Sequence, residues 1–176
     1  MEEVSVAVII PPRNFRDETL SLLELLLAKK DIRKVVASVN PRDCTGYHGA
    51  VVRPETTFKE LDPARTAAII LADGPGVDSF KLYDYRPLLD AVKTFHDQGR
   101  VVAAIGNGIK IAARANVIRD TKVAESTDKE EDGVVRLYRG VPSKGHLVSD
   151  KNVITLSDPE RIDELVVLLS EVLGTA

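Results

Sequence analysis

The chain has 176 residues, 44% of them hydrophobic and 29% charged, and a net charge of -3. That length fits one domain with a single substantial core, and the balance is that of a soluble globular protein. Scattered Lys and Arg leave no footprint for nucleic acid, no apolar stretch approaches the ~20 residues of a membrane span, and a lone Cys44 excludes an internal disulfide or a multi-cysteine metal site.

In chain order, Val4 to Ile10 reads as a strand stopped by Pro11-Pro12, because proline cannot continue a paired ladder. A helix is predicted from Arg16 to Lys30, with Leu20, Leu22, Leu23, Leu25, Leu26 and Leu27 forming a broad apolar face. Val35 to Val39 is a second buried strand. The irregular stretch from Asn40 carries a Gly46-Tyr47-His48-Gly49 turn into a short strand, Ala50 to Arg53. A helical turn at Phe58 to Leu61 precedes a strand at Ala67 to Leu71, and Ala72 to Gly76 is a loop by its turn residues. The next helix opens at Pro87, closes at Gly99 and buries Leu88, Leu89, Ala91, Val92 and Phe95. Asp128 to Gly133 reads as a charged turn and Val134 to Tyr138 as a hairpin. Val153 to Leu156 is the last strand. Asp158 caps a final helix that turns Ile162, Leu165, Val166, Leu169 and Val172 inward. Alternating helices and near-continuous apolar strands predict an α/β flavodoxin-like three-layer sandwich, a mainly parallel sheet with helices on both faces, as one domain over 1-176.

The most informative stretch is Val101-Val102-Ala103-Ala104-Ile105, a buried strand that breaks at Gly106-Asn107-Gly108 and resumes with helical spacing. A strand turning sharply into a helix at small residues is the geometry of a nucleophile elbow, where Ser or Cys stands exposed at the tip. Here the tip, Gly106, has no reacting atom. The same triplet starts like a dinucleotide fingerprint but lacks the third glycine and lies outside the first strand-helix unit.

Leu71-Ala72-Asp73-Gly74, the run Val102 to Gly108, Thr45-Gly46-Tyr47-His48-Gly49 and Asn14-Phe15-Arg16-Asp17 together resemble the ThiJ/PfpI family of the class I glutamine amidotransferase-like superfamily, over Val4 to about Leu173. The resemblance places the family's Cys and following His at Gly106 and Asn107. It places the family's early Glu at Thr19, with Glu18 one position away, and its oxyanion-binding Gly-Gly pair at Asp73-Gly74. A carboxylate at Asp73 repels a developing oxyanion if it points inward. Losing the nucleophile of a catalytic constellation costs on the order of 10⁶ in turnover, as in subtilisin. A covalent thiolate mechanism is therefore not expected, and glycine relieves the strain of the elbow tip.

Other residues offer little replacement chemistry. Cys44 reads as a surface or subunit-contact cysteine, His48 as a turn or interface histidine, His96 as solvated and His146 as a loop residue without a partner. Three scattered histidines lack metal-ligand spacing, so no metal and no cofactor is expected. The expectation is a non-catalytic protein of this family binding a small molecule in a vestigial pocket of Gly106, Asn107, Asp73, Gly74, Glu18 and Thr19. Two alternatives stand. One is a hydrolase or lyase (peptidase-, glyoxalase- or deglycase-like) run by pocket carboxylates or water. The other is an anion- or nucleotide-binding module using Arg13, Arg16 and the amides at Gly108. The resemblance implies a homo-oligomer, with Tyr47 and Tyr83-Asp84-Tyr85 as candidate contacts. The acidic Met1-Glu2-Glu3 start and the apolar pattern imply a cytoplasmic protein without membrane or nucleic-acid partners, and a single Gln98, a single Met1, no Trp and many charges point to a thermophile.

Overall fold

A computed structural model describes residues 3–175; Met1 and Glu2 of the acidic start lie outside the described residues. The chain begins with β1 (Val4–Ile9), a short β2 (Arg13–Phe15), α1 (Asp17–Lys29) and β3 (Ile32–Ser38). Next come β4 (Cys44–Gly46), β5 (Val51–Val52), β6 (Thr56–Thr57) and a 3₁₀ turn over Phe58–Glu60. β7 (Ala68–Leu71) leads into α2 (Pro75–Ser79) and α3 (Arg86–Asp97). β8 (Val101–Ile105) is followed, after a 3₁₀ turn, by α4 (Ile109–Arg114), β9 (Lys122–Ala124) and α5 (Lys129–Leu137). The chain ends with β10 (Val141–Ser143), β11 (Leu147–Asp150), β12 (Val153–Leu156) and α6 (Ile162–Leu173).

Among the described residues the main sheet runs β11-β12-β8-β7-β1-β3-β6. All its pairings are parallel except β11 on β12. Register is fixed through the middle, where Val8 faces Val36 on one side and Ile70 on the other. Central strands buried on both faces need apolar residues throughout, which is why β7 and β8 are continuous apolar runs. One face is covered by α1 and α6 through Leu20, Leu23, Leu27, Leu165 and Leu169. The other is covered by α3, α4 and α5 through Leu88, Val92, Phe95, Ile111 and Val135. The flavodoxin-like α/β sandwich read from the sequence is the observed fold.

Four local readings are corrected. The loop read over Ala72 to Gly76 is shorter than expected: Pro75 and Gly76 already belong to α2, with Pro75 at its first turn. Residues 128–138, read as a charged turn and hairpin, form α5. Asp128 caps it by accepting from the Glu131 N–H at 3.0 Å, and Arg136 pairs with Asp132 one turn away. Its single buried side chain, Val135, left too weak an apolar period to read. Leu22, Leu25 and Val172 are exposed, so the apolar stripes of α1 and α6 are narrower than the sequence suggested. Tyr83 and Tyr85, offered as surface contacts, pack against the core.

Candidate functional site

Parallel α/β sheets gather their sites at the carboxyl ends of the central strands. Here the chain leaves β7 through Asp73-Gly74 and leaves β8 at Gly106, and these residues line one open cleft of about 650 Å³. Gly106 has φ +52°, a left-handed conformation that favours glycine. A Cβ built there meets the Asp73 Cβ at 3.0 Å and the Pro159 Cγ at 3.3 Å. The elbow is thus present in its backbone, while the room a tip side chain would use is already narrow. Gly108 is fixed more tightly still, since its Cβ would stand 2.3 Å from the Leu71 carbonyl oxygen.

Asn107 locks the elbow to the neighbouring loop. Its Oδ1 accepts from the Gly74 N–H at 3.1 Å, and its Nδ2 donates to the Gly74 carbonyl at 2.8 Å and to Asp78 Oδ2 at 3.2 Å. The Gly74 amide, expected as an oxyanion donor, is therefore engaged within the protein.

Asp73 is buried on the cleft floor, with its side chain 8% exposed. Its Oδ1 accepts from the Thr19 hydroxyl at 2.6 Å, while Arg16 Nη1 stands 3.8 Å from Oδ2. Burial pushes its carboxyl above the ordinary carboxylate range, against the Thr19 hydrogen bond, the Arg16 charge and its own backbone N–H. Glu131, from α5, lines the same cleft and is also raised, by burial and by Asp128, with Lys110 acting against. Its Oε1 stands 3.4 Å from the Ser126 hydroxyl.

The structure brings Asp73, Gly74, Gly106, Asn107 and Arg16 into the cleft lining. Thr19 joins them through Asp73. Glu18 does not line the cleft; it turns outward, pairing with Arg16 at 3.4 Å and His48 at 3.5 Å. Arg13 is exposed and apart, and Gly108 is buried beneath the elbow. Cys44 is not at the surface: it is buried in β4, its thiol 3.6 Å from the Arg42 carbonyl and pushed up by burial. His96 is largely covered rather than solvated, and His146 has a partner, Glu164, at 3.0 Å.

Lys110 was missed. It is buried beside Tyr83, its Nζ bonded to Asp78 and 3.3 Å from Glu130. Burial alone would lower its pKa, but the two carboxylates outweigh that and hold it above its ordinary value. The available signal was a charge inside the apolar run Ile109 to Ala113. Glu131 was hidden by the misread α5.

A mainly parallel three-layer sandwich with a sharp turn at the end of a central strand places the molecule among the flavodoxin-like α/β proteins. The chain belongs to the DJ-1/PfpI family, whose sequence model matches residues 4–172. An uncharacterized protein of Methanocaldococcus jannaschii is 26% identical over 160 residues, 91% of this chain and 78% of that one. The deglycase PfpI of Pyrococcus furiosus is 26% identical over 121 residues, 66% of this chain and 72% of its own. The crystal structure of a ThiJ/PfpI domain protein from Brachyspira murdochii superposes with a TM-score of 0.90 at 20% identity, covering 99% of both chains. No helix among the described residues is long and apolar enough to cross a membrane.

Proposed function

We propose that this member of the DJ-1/PfpI family works without a cysteine nucleophile and holds a small molecule non-covalently in the cleft above Gly106. The observation that carries the reading is the double clip of Asn107 on Gly74. It occupies the amide that an oxyanion would need, at an elbow whose tip has no side chain. Cys44 offers no substitute, being buried in β4 and absent from the cleft lining. A second reading is supported by Asp73 and Glu131: two carboxyls with raised pKa in one cleft can carry general acid–base hydrolysis.

Turnover of methylglyoxal and of a fluorogenic peptide panel tests both, with wild type beside Cys44→Ser, Asp73→Asn and Gly106→Cys. The expected result is no turnover above the protein-free blank by wild type or Cys44→Ser. Gly106→Cys is expected to stay silent as well, because its oxyanion donor remains engaged. Wild-type turnover overturns the first reading. Its loss in Asp73→Asn but not in Cys44→Ser establishes the second, and its loss in Cys44→Ser assigns the chemistry to the thiol.

A further inference from the structure

On the outward face of α1, exposed apolar side chains and charges share one line. Leu22 is 38% and Leu25 53% exposed, and Glu18 and Lys29 are exposed with them. Glu18, Leu22, Leu25 and Lys29 are spaced by four, three and four residues, which on a helix makes one narrow stripe about 16 Å long. Ser21 and Ala28, exposed beside it, are too small to block an approach. Lys29 has no carboxylate partner among the described residues. Glu18 stands 3.4 Å from Arg16 and 3.5 Å from His48, ion-pair distances on exposed side chains. The turn between β4 and β5 flanks the acidic end of the stripe. Asp17 accepts from the His48 and Ala50 N–H groups at 2.8 and 2.9 Å, and the Tyr47 ring meets the His48 ring edge-on. Tyr47 and Val51 are largely exposed there.

Leucines in water on a helix face are stabilised when something covers them, and the order of this stripe says what does. From its N-terminal end it runs acidic, apolar, apolar, basic. Read backwards it runs basic, apolar, apolar, acidic, so it is the complement of itself. Two copies of α1 laid antiparallel set Leu22 of each on Leu25 of the other and Glu18 of each on Lys29 of the other. One two-fold axis, passing between Leu23 and Glu24, makes all of these contacts at once, as a contact between identical surfaces requires. We propose that two copies of this chain pair through α1, with Leu22 and Leu25 at the centre and the Glu18–Lys29 pairs at the ends. The macrodipoles of the two helices then oppose one another, which adds to the attraction. A single stripe is short of the roughly 800 Å² per partner of a stable contact, and the tip carrying Tyr47 and Val51 widens it. Glu18 also pairs with Arg16, which lines the cleft, so the contact reaches the cleft rim through one ion pair.

Mass in solution against concentration tests this, by sedimentation of the full chain near neutral pH. Wild type is expected at twice the 19.2 kDa chain mass in the micromolar range. Leu25→Glu sets a charge at the centre of the contact and should weaken pairing by at least about a hundredfold, since symmetry counts the change twice. Leu137→Glu is the control: that leucine is 73% exposed on α5, across the sheet, and its replacement should leave the mass unchanged. Glu18→Lys or Lys29→Glu alone should weaken pairing roughly tenfold, as two surface pairs turn repulsive. The two reversals combined should restore it. Residues 18 and 29 stand about three turns apart on one helix and cannot touch, so restoration reads a contact between copies. Wild type that stays monomeric up to millimolar concentration overturns the proposal. So do equal losses in Leu137→Glu and Leu25→Glu, a larger assembly whose mass Leu25→Glu leaves unchanged, or a double reversal as weak as either single one.

Discussion

Along the cleft floor, between Leu71 and Gly108, backbone and side chains are committed to one another. Along the outer wall, from Glu125 to Gly133, they mostly meet water. On the floor Asn107 holds both polar groups of Gly74, Thr19 holds Asp73, and Gly108 has no space for a methyl group. On the wall α5 stands on one cap, one buried valine, the exposed Arg136–Asp132 pair and the contact of Glu130 with Lys110. The difference teaches that the floor is specified by packing, where single atoms matter, and the wall by helix propensity and charge, where increments are small.

The sharpest break of this contrast is one change made on each side. Gly108→Ala drives a methyl into the Leu71 carbonyl and should cost at least ~3 kcal/mol in denaturant unfolding, or prevent folding. Smaller, but still on the floor, Asn107→Ala strips Gly74 of two partners and should cost about 1–2 kcal/mol by the same measurement. Asp73→Asn goes the other way. A carboxyl raised in the folded state burdens folding above its folded pKa and is relieved as pH falls toward the unfolded value. The variant should therefore be more stable than wild type at neutral pH in denaturant unfolding, an advantage that fades under acid. The smallest effect belongs to Gly133→Ala on the wall. Its added Cβ meets nothing within 4 Å in mid-helix, so thermal melting should show a gain of about 0.5–1 kcal/mol. Equal responses to the two Gly→Ala changes would erase the contrast.

The floor was also the more legible half. Val101 to Ile105 announced a buried strand, and the Gly106-Asn107-Gly108 break announced the elbow, because both signals are local. What could not be read was partnership across the sequence. The carboxamide of Asn107 finds Gly74 33 residues away, and the Thr19 hydroxyl finds Asp73 54 residues away. Nothing in local periodicity encodes such pairs. The wall failed for a different reason: Gly133 and a run of charges mimic a turn, and the cap and i,i+4 pair that stabilise α5 are weak signals beside a glycine. Cys44 was misplaced because it belongs to β4 of the small sheet β2-β4-β5 and packs into the core on the α1 and α6 side, and that sheet is built from strands too short to show a period.

The clip on Asn107 also bears on how the molecule ages. An Asn followed by Gly is open to loss of its amide when the next backbone nitrogen attacks the side-chain carbonyl carbon, and Asn is among the heat-labile residues. In the fold both ends of the Asn107 carboxamide are tied to Gly74, and Gly108, φ -60° and ψ -20°, begins a helix beneath the elbow. The native state therefore shelters this bond, and each excursion to the unfolded state exposes it. Deamidation would leave a carboxylate facing the Gly74 carbonyl and Asp78, two acceptors with no proton to offer it. Damage at this one amide would then outlast the unfolding event that allowed it, as a lasting chemical record at the cleft floor.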